Sequence, residues 1–380
     1  MLAWTLPFAL YGALLALFTG VNLALFRRLP KGVPAGAPKV SIVIPARNEA
    51  ASIGATLEAA LAQEYPHFEV IVVDDGSTDG TAVEIEQRRG DARLIAITGA
   101  PLPPGWLGKP HALFQGTERA TGNFLLFMDA DVRLAPEALG DAVGFSQARG
   151  LDHLALFPGF ERRGFWEEVL MPLLGVTFYM FFPSFLARLP RSRAAFGSGA
   201  FNLVRATAYR AIGGHRLLAR SVIDDVRLAM EVKAAGFASG LALGDHRVRL
   251  RMYCGRREIV EGFTKNLHSA VARLPLYTLF TLTVGTVLNT APFAWPLWAV
   301  AAPASAFAPA GLALAAALLL LLGCRAAVQL RLEYPLWPIF FHPLSLGMGN
   351  WIVLRSLGVA HGAGVVRWRG REYTRDETSF

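Results

Sequence analysis

Charged residues are scarce in this chain of 380 residues. Asp, Glu, Lys and Arg together make up 17% of it, and hydrophobic residues make up 53%. A soluble domain carries about 25% charged residues, so the shortage argues against a wholly soluble protein and indicates membrane segments. The length suffices for one large domain or two of medium size.

Cysteine is almost absent, since Cys254 and Cys324 are the two in the sequence. Cys324 lies in an apolar run, and no Cys and His residues have the spacing of a zinc site. A disulfide framework and a zinc module are therefore not expected. The net charge of +8 does not indicate nucleic-acid binding, because the basic residues follow apolar segments, where they favour anionic lipid headgroups.

The N-terminal segment from Leu2 to Phe26 is nearly uncharged and long enough to span a bilayer, which needs about 20 residues. Arg27, Arg28 and Lys31 follow it directly. A cleaved secretory signal has its positive charge before the apolar run. The order here predicts an uncleaved anchor with its N-terminus outside and the next domain in the cytoplasm.

The C-terminal third holds three further apolar segments. One covers Leu276 to Ala306 and is interrupted by prolines, one includes Gly311 to Gly323, and one covers Leu336 to Ala360. The last contains His342 and Arg355, which suit a re-entrant segment as well as a span. We expect two crossings and one re-entrant segment in preference to three spans, with the basic tail in the cytoplasm.

A shorter apolar stretch, Val169 to Leu186, lies inside the middle region. Pro172 and Pro183 enclose about ten residues, which is short for a span. We interpret the stretch as helices in the plane of the membrane interface; an ordinary core helix is the alternative.

The middle region, from Lys39 to Tyr253, alternates between strand and helix patterns. KVSIVIPA, FEVIVVDD, ARLIAIT and NFLLFMDAD are continuous apolar strands, which indicates a mostly parallel sheet with helices on both faces. Ligands of such sheets bind at the carboxyl ends of the strands. Polar clusters follow three of these strands, and we expect them to meet in one cleft: Pro45 with Arg47, Asn48 and Glu49; Asp74 with Asp75; and Asp129 with Asp131.

Six blocks of this region resemble those of family 2 glycosyltransferases with the GT-A fold, a Rossmann-like α/β fold. They are VSIVIPARNEAASI, EVIVVDDGSTDGT, GWLGKPHALFQGTERATG, LLFMDADVRL, GSGAFNLVRATAYRAIGGH and SVIDDVRLAMEVKAAGF. RMYCGRREIVEGFTKN and the tail WRGREY are similar to bacterial enzymes that glycosylate carotenoids and related polyisoprenoid or hopanoid lipids. The resemblance covers residues from about 40 to 240, with N-terminal and C-terminal transmembrane helices outside it.

The resemblance implies a role for each matched position. Pro45, Arg47, Asn48 and Glu49 match the first donor-binding loop, and Asp75, beside Asp74, matches the acid that recognises the uridine of the donor. Asp129 and Asp131 match the pair that binds Mg²⁺ or Mn²⁺, and Asp129 also serves the donor. Asp225 matches the general base. The first acid of that motif is Asp224 here instead of Glu, which leaves open which of the two acts.

The chemistry agrees with these roles. A cation held by two carboxylates stabilises the charge on a departing nucleoside diphosphate, and Lys109 is a further candidate for countering a phosphate. A carboxylate opposite accepts the proton of the acceptor hydroxyl. One displacement at C1 inverts its configuration.

Two further features narrow the function. The Gln-x-x-Arg-Trp block of processive family members is absent from the sequence, and Arg256 and Arg257 stand near its place as possible diphosphate contacts. We therefore expect transfer of a single hexose, with UDP-glucose as the first candidate donor, to a lipid hydroxyl or carboxyl. The alternatives are a processive polysaccharide synthase, a transporter and a scaffold without catalysis.

The predicted domains are an anchor (1–30), a cytoplasmic catalytic domain (38–255) with an interfacial segment (165–188), a membrane-proximal region (256–274), transmembrane or re-entrant segments (275–360) and a basic tail (361–380). The expected location is the inner, or plasma, membrane. The sequence does not indicate an oligomeric state.

Overall fold

The computed structural model describes residues 2–32, 36–272, 275–361, 366–368 and 371–373. The elements are α1 (Leu2–Leu25), β1 (Val40–Ala46), α2 (Ile53–Leu61), β2 (Phe68–Asp74), α3 (Thr81–Glu86), β3 (Leu94–Thr98), α4 (Gly108–Thr117), β4 (Phe124–Phe127), β5 (Val132–Leu134), α5 (Ala138–Ala148), β6 (His153–Phe160), α6 (Phe165–Phe181), β7 (Asn202–Arg205), α7 (Ala206–Ala211), α8 (Asp224–Ala234), β8 (Ser239–Leu250), α9 (Gly255–Ala272), α10 (Pro275–Thr290), α11 (Ala294–Ala301), α12 (Pro303–Ala306), α13 (Pro309–Arg331), α14 (His342–His361), β9 (Val366–Trp368) and β10 (Arg371–Tyr373).

The elements form two compact units. The first, the helical unit, contains the described parts of Met1–Leu25, Arg162–Pro183 and Tyr253–Gly364. The second, the sheet unit, contains those of Phe26–Glu161, Ser184–Met252 and Val365–Phe380.

The sheet unit is built on an eight-stranded sheet in the order β3-β2-β1-β4-β7-β6-β8-β5. Strands β3, β2, β1 and β4 are parallel neighbours, which confirms the four parallel strands predicted from the apolar runs. The other half is mixed, because β7 is antiparallel to both β4 and β6, β8 is parallel to β6, and β5 is antiparallel to β8. Every residue of β1 is buried, as expected of a central strand covered on both faces.

Helices α4, α7 and α8 share one core cluster with the centre of the sheet. Val43, Ile71, Phe127 and Val204 of the strands pack there with residues of these helices. Gly116 of α4 permits close packing on the sheet, because a Cβ at this position would lie 2.4 Å from Cγ1 of Val43. Close packing of α4 fixes the start of that helix, where Lys109 lies, relative to the strand ends.

The helical unit contains the long apolar helices. Among the described residues, two helices are long and apolar enough to cross a membrane, at Ala3–Leu25 and Pro309–Arg331. The segment 276–306, expected as a candidate span, is divided among α10, α11 and α12. The stretch 169–186 lies mostly in α6. Asn22 of α1 donates hydrogen bonds to the carbonyl of Tyr179 in α6 (2.8 Å) and to that of Phe182 directly after it (2.9 Å).

Candidate active site

The loops that follow β1 and β2 are joined by hydrogen bonds. Arg47 donates through Nη1 to the backbone carbonyls of Asp75 and Gly76. Asn48 adopts a left-handed backbone with φ of 53°, which Asn tolerates better than most residues, and its side chain accepts the N–H of Thr78 at 2.8 Å. Arg47 and Asn48 therefore hold the backbone from Asp75 to Thr78 in one conformation.

Glu49 and Asp74 have local structural partners. Glu49 Oε2 accepts a hydrogen bond from Ser52 at 2.9 Å, at the start of α2. Asp74 Oδ1 accepts from the Ser77 backbone N–H at 2.9 Å and from its hydroxyl at 2.6 Å, which forms an Asx turn. Their predicted contact with a donor remains a prediction, whereas their part in shaping the loops follows from these bonds.

Asp75 is the buried acid of these loops, with its side chain 2% exposed. The guanidinium of Arg371, from β10, forms an ion pair with both of its carboxylate oxygens. Burial raises the pKa of Asp75, and the nearby Arg371 and Arg47 oppose this shift without cancelling it.

The end of β4 supplies the second part of the site. Asp129 is followed by a tight connection to β5, and its carboxylate receives the ammonium of Lys109 at 2.7 Å. The N–H of Asp129 donates to the carbonyl of Gly199 at 2.8 Å. A Cβ on Gly199 would lie 2.4 Å from Asp129 Oδ2 and 3.3 Å from Lys109 Nζ, so the glycine leaves the space that both groups need.

The start of α8 places two more carboxylates in a cavity that Asp129 and Lys109 also line. Lys109, Asp129, Asp224, Asp225 and Asn202 all line it. Lys109 Nζ lies 3.6 Å from Asp224 Oδ1, and Asn202 Nδ2 donates to the Asp225 carbonyl at 3.0 Å. Residues separated by more than a hundred positions thus form one group of three acids around one lysine.

His215 and Tyr209 lie behind Asp224 in the core. His215 Nδ1 and the Tyr209 hydroxyl share a hydrogen bond of 2.7 Å, and the backbone N–H of His215 donates to the same oxygen at 2.9 Å. The other ring nitrogen of His215, Nε2, lies 3.9 Å from Asp224 Oδ2. Burial lowers the pKa of His215, which favours the neutral form of the ring.

The two adjacent acids of α8 have opposite pKa shifts. Burial alone would raise the pKa of Asp224, but Lys109 and His215 outweigh it, so this pKa lies below its usual range. Burial raises the pKa of Asp225, Lys109 opposes the shift, and Asp224 and Asp129 add to it. The pKa of Lys109 itself is raised, because its acidic neighbours outweigh the effect of its burial.

The carboxylates at the end of β4 have the chemistry of a site for a hard divalent cation. Asp129 and Asp131 stand two positions apart between β4 and β5, and Mg²⁺ binds through one or two carboxylates together with substrate phosphates and water. Within the described ranges, no group of three His, Cys, Asp or Glu side chains forms a metal cage. The two carboxylates therefore fit a cation that takes phosphate and water as its other ligands.

The remaining predicted positions divide between the two units. Pro45 lines the cavity of the three acids. Arg256 and Arg257 belong to the helical unit, where they line a groove of about 450 Å³ with Trp351 and Arg355. Their contact with a diphosphate stays a prediction.

Several residues that the structure brings to the site had no role assigned to them from the sequence. Tyr209, His215 and Gly199 all lie in the block GSGAFNLVRATAYRAIGGH, and Arg371 lies in the tail motif WRGREY. Both motifs carried the family resemblance, so they marked the correct segments. Nothing local identified the partners of these residues, which are distant in sequence.

Comparisons with known proteins bear on the family of this chain. A sequence model described as Glycosyl transferase family 2 matches residues 41–213. The chain is 28% identical over 359 residues to 4,4'-diaponeurosporenoate glycosyltransferase of Staphylococcus aureus strain USA300, covering 88% of each chain. The protein of that name from strain MRSA252 is 32% identical over 238 residues, or 60% of each chain.

A solved structure shows the same fold. It is the mannosyltransferase PcManGT from Pyrobaculum calidifontis in complex with GDP-Man and Mn²⁺, with a TM-score of 0.53 and 18% identity, over 94% of this chain and 98% of that one. At this identity the likeness is evidence for the fold alone. Residues 41–213 are therefore a family 2 glycosyltransferase domain with the GT-A fold, and the protein is a glycosyltransferase.

Proposed function

We propose that the protein is a membrane-bound, inverting glycosyltransferase that transfers a single hexose from a UDP-sugar to a lipid acceptor such as a carotenoid or another polyisoprenoid. The observation that carries this proposal is the single cavity lined by both Asp129 and Asp225. Asp129, at the end of a strand, is suited to the diphosphate side of the reaction, and Asp225 is suited to the acceptor side. A direct displacement needs an acid of each kind in the same site, because the leaving group departs as the acceptor attacks.

The lipid acceptor is supported by the relatives and by the helices. The Staphylococcus aureus relative is named for 4,4'-diaponeurosporenoate and matches 88% of this chain, including segments outside the catalytic domain. Helices Ala3–Leu25 and Pro309–Arg331 have the length and composition of spans. A lipid substrate would be reached from a domain anchored in this way.

Asp225 is the better candidate for the general base. Its raised pKa makes the carboxylate a stronger proton acceptor, and the backbone N–H of Val226 fixes its Oδ1 at 2.9 Å. As the bond from the acceptor oxygen to C1 forms, the bond from C1 to the diphosphate oxygen breaks, and the acceptor proton passes to Asp225. Asp224 stays ionised beside Lys109 and orients the ammonium of that lysine.

Asp129 and Asp131 would hold Mg²⁺ or Mn²⁺. When bound, the cation supplies positive charge to the diphosphate leaving group. Lys109 holds the Asp129 carboxylate through an ion pair of 2.7 Å.

Transfer assays on the purified protein in detergent test this function. We expect hexose transfer from UDP-sugar to an extracted lipid, giving one product with one hexose. Asp131→Asn should abolish metal-dependent transfer, because the cation loses a charged ligand, while the exposed control Arg89→Gln should retain it. A ladder of products with increasing hexose number, or full activity of D131N, would contradict the proposal.

The acceptor group can be identified through Asp225→Asn. A hydroxyl acceptor must lose a proton, so turnover should fall about 10²–10⁴-fold while UDP binding persists. A carboxylic acid acceptor is already ionised, so the same variant should lose far less activity. Loss of UDP binding without loss of turnover would place the base elsewhere, with Asp224 as the next residue to test.

The proposed location is the inner membrane, with several crossings and the sheet unit in the cytoplasm. A cysteine introduced at Asp91, in the sheet unit, should resist a membrane-impermeant thiol reagent applied to intact cells. Rapid labelling from outside would contradict this orientation.

A further inference from the structure

The C-terminal tail reaches the loop that follows β2. Strands β9 and β10 pair antiparallel, with Arg371 opposite Trp368. From β10, Nη1 of Arg371 bonds to Oδ2 of Asp75, and Nη2 lies 3.1 Å from Oδ1 and 3.4 Å from the Asp75 carbonyl. Arg371 thus makes three contacts with Asp75, a residue 296 positions away in the sequence.

The two partners are differently exposed. The Asp75 side chain is 2% exposed and that of Arg371 is 21% exposed. Two-point pairing of a guanidinium with a carboxylate fixes direction as well as charge. The carboxylate of Asp75 is therefore oriented by a residue from the tail, while Arg47 holds its backbone.

The pairing leaves capacity for a ligand. An ionised carboxylate has about four lone-pair sites on its two oxygens, and Arg371 takes one on each. Arg371 does not use the others, and these can accept an N–H that lies in the carboxylate plane, as a uracil ring presents. Without the guanidinium, a buried carboxylate favours its neutral, protonated form, which is a poorer acceptor.

We propose that Arg371 is a positioning residue of the donor site: it fixes the Asp75 carboxylate for the base of a uridine diphosphate donor, and the ribbon β9–β10 forms part of the nucleoside end of the site. This inference rests on the proposed function, because it assumes a uridine donor recognised by Asp75. It makes the tail part of substrate binding and not only a segment that follows the last helix.

Binding of UDP to the full-length protein in detergent, with Mn²⁺, tests the role without any lipid acceptor. Arg371→Gln should weaken UDP binding about tenfold or more, the range expected for losing hydrogen bonds to a charged group. Arg371→Lys keeps the charge but not the two-point geometry and should give an intermediate affinity. Arg89→Gln, an exposed arginine of the same unit, should bind UDP as the wild type does.

Kinetics separate positioning from general damage. R371Q should raise the KM for the UDP-sugar and leave kcat at saturating donor within about twofold, since the reacting atoms lie elsewhere. Thermal unfolding establishes whether each variant is folded. If R371Q does not fold, the UDP affinity and the KM of R371K provide the test instead.

Three outcomes would overturn the inference. Unchanged UDP affinity in R371Q would make the ribbon merely structural. Tighter UDP binding would make the tail a competitor for Asp75. A wild-type protein that binds no UDP would refute the uridine donor of the proposed function, and the inference with it, whereas the first two outcomes leave that function standing.

Discussion

Lys109 forms ion pairs with two of the acids that line the cavity, and replacing it by methionine is a direct test of the site's electrostatics. Its ammonium lies 2.7 Å from Asp129 and 3.6 Å from Asp224. Methionine has a similar length and no charge, so the change removes both attractions while keeping most of the packing. The acids would remain, with less to offset their mutual repulsion.

The expected loss of stability follows from these distances. At an effective dielectric of about 20, the two attractions amount to about 6 and about 5 kcal/mol. Much of this sum is offset by the cost of desolvating the ammonium, and removing one partner of a buried pair costs about 3–5 kcal/mol in total. Asp129 is 36% exposed, so water replaces part of its share, and we expect about 3 kcal/mol.

Thermal unfolding at a fixed scan rate measures this loss, in buffer without divalent cations. About 3 kcal/mol corresponds to a fall in Tm of about 6–12 °C for a unit of this size. Lys39→Met is the matched control: Lys39 lies 2.6 Å from Glu69 but is 41% exposed, so its loss should cost less than about 1 kcal/mol.

The decisive variant combines Lys109→Met with Asp224→Asn. Asp224 is 5% exposed, and neutralising it removes the buried charge that lost its partner. The double variant should therefore be more stable than K109M alone, although it carries one more substitution. A double variant less stable than the single one would refute the electrostatic reasoning, and so would an unchanged Tm in K109M.

Two other predictions concern the same unit. His153 is 1% exposed and hydrogen-bonded to Asn202 at 2.7 Å. Burial lowers the pKa of His153 from 6.5 to about 4. Because this histidine binds its proton at higher pH in the unfolded chain than in the folded one, the free energy of unfolding should fall by up to about 3 kcal/mol as the pH drops from 6.5 to 4. Melting curves across this interval should be flatter for His153→Gln, and equal slopes would contradict the assignment. Gly199→Ala should reduce Mn²⁺-dependent UDP affinity at least tenfold, since its Cβ would lie 2.4 Å from Asp129 Oδ2; Gly90→Ala, where a Cβ meets open space, should not, and equal affinities would show that Asp129 can move aside.

The half of the sheet formed by β1 to β4 could be predicted from the sequence, because local sequence patterns specify these strands. Strands β1 to β4 are apolar, β1 to β3 are rich in β-branched residues, and each strand is followed by a turn or a helix signal, so the local pattern sufficed. Strand β7 is only four residues long, and β8 contains two glycines and several charged residues. Their antiparallel and parallel pairings depend on contacts distant in sequence, which no local periodicity encodes.

The candidate site was predictable in composition but not in its pairings. The matched blocks gave Asp129, Asp225 and Lys109, and the topology of parallel strands predicted that the strand-end clusters converge. The expectation that Lys109 counters a phosphate left out its actual neighbours, Asp129 and Asp224. Such pairings require the three-dimensional path of α4 and α8, and Arg371 required the path of the tail.

The opposite pKa shifts of the two neighbouring acids bear on which of them is the base. A sequence of two aspartates at a helix start offers no distinction, because both are favoured there by the helix dipole. Lys109 and His215 lower the pKa of Asp224 and so keep it ionised, with weak affinity for a proton. That ionised neighbour then raises the pKa of Asp225. Environments that separate the pKa values of two carboxylates are typical of sites that assign them different tasks. The arrangement therefore favours Asp225 as the proton acceptor, with Asp224 as a fixed charge that makes Asp225 more basic.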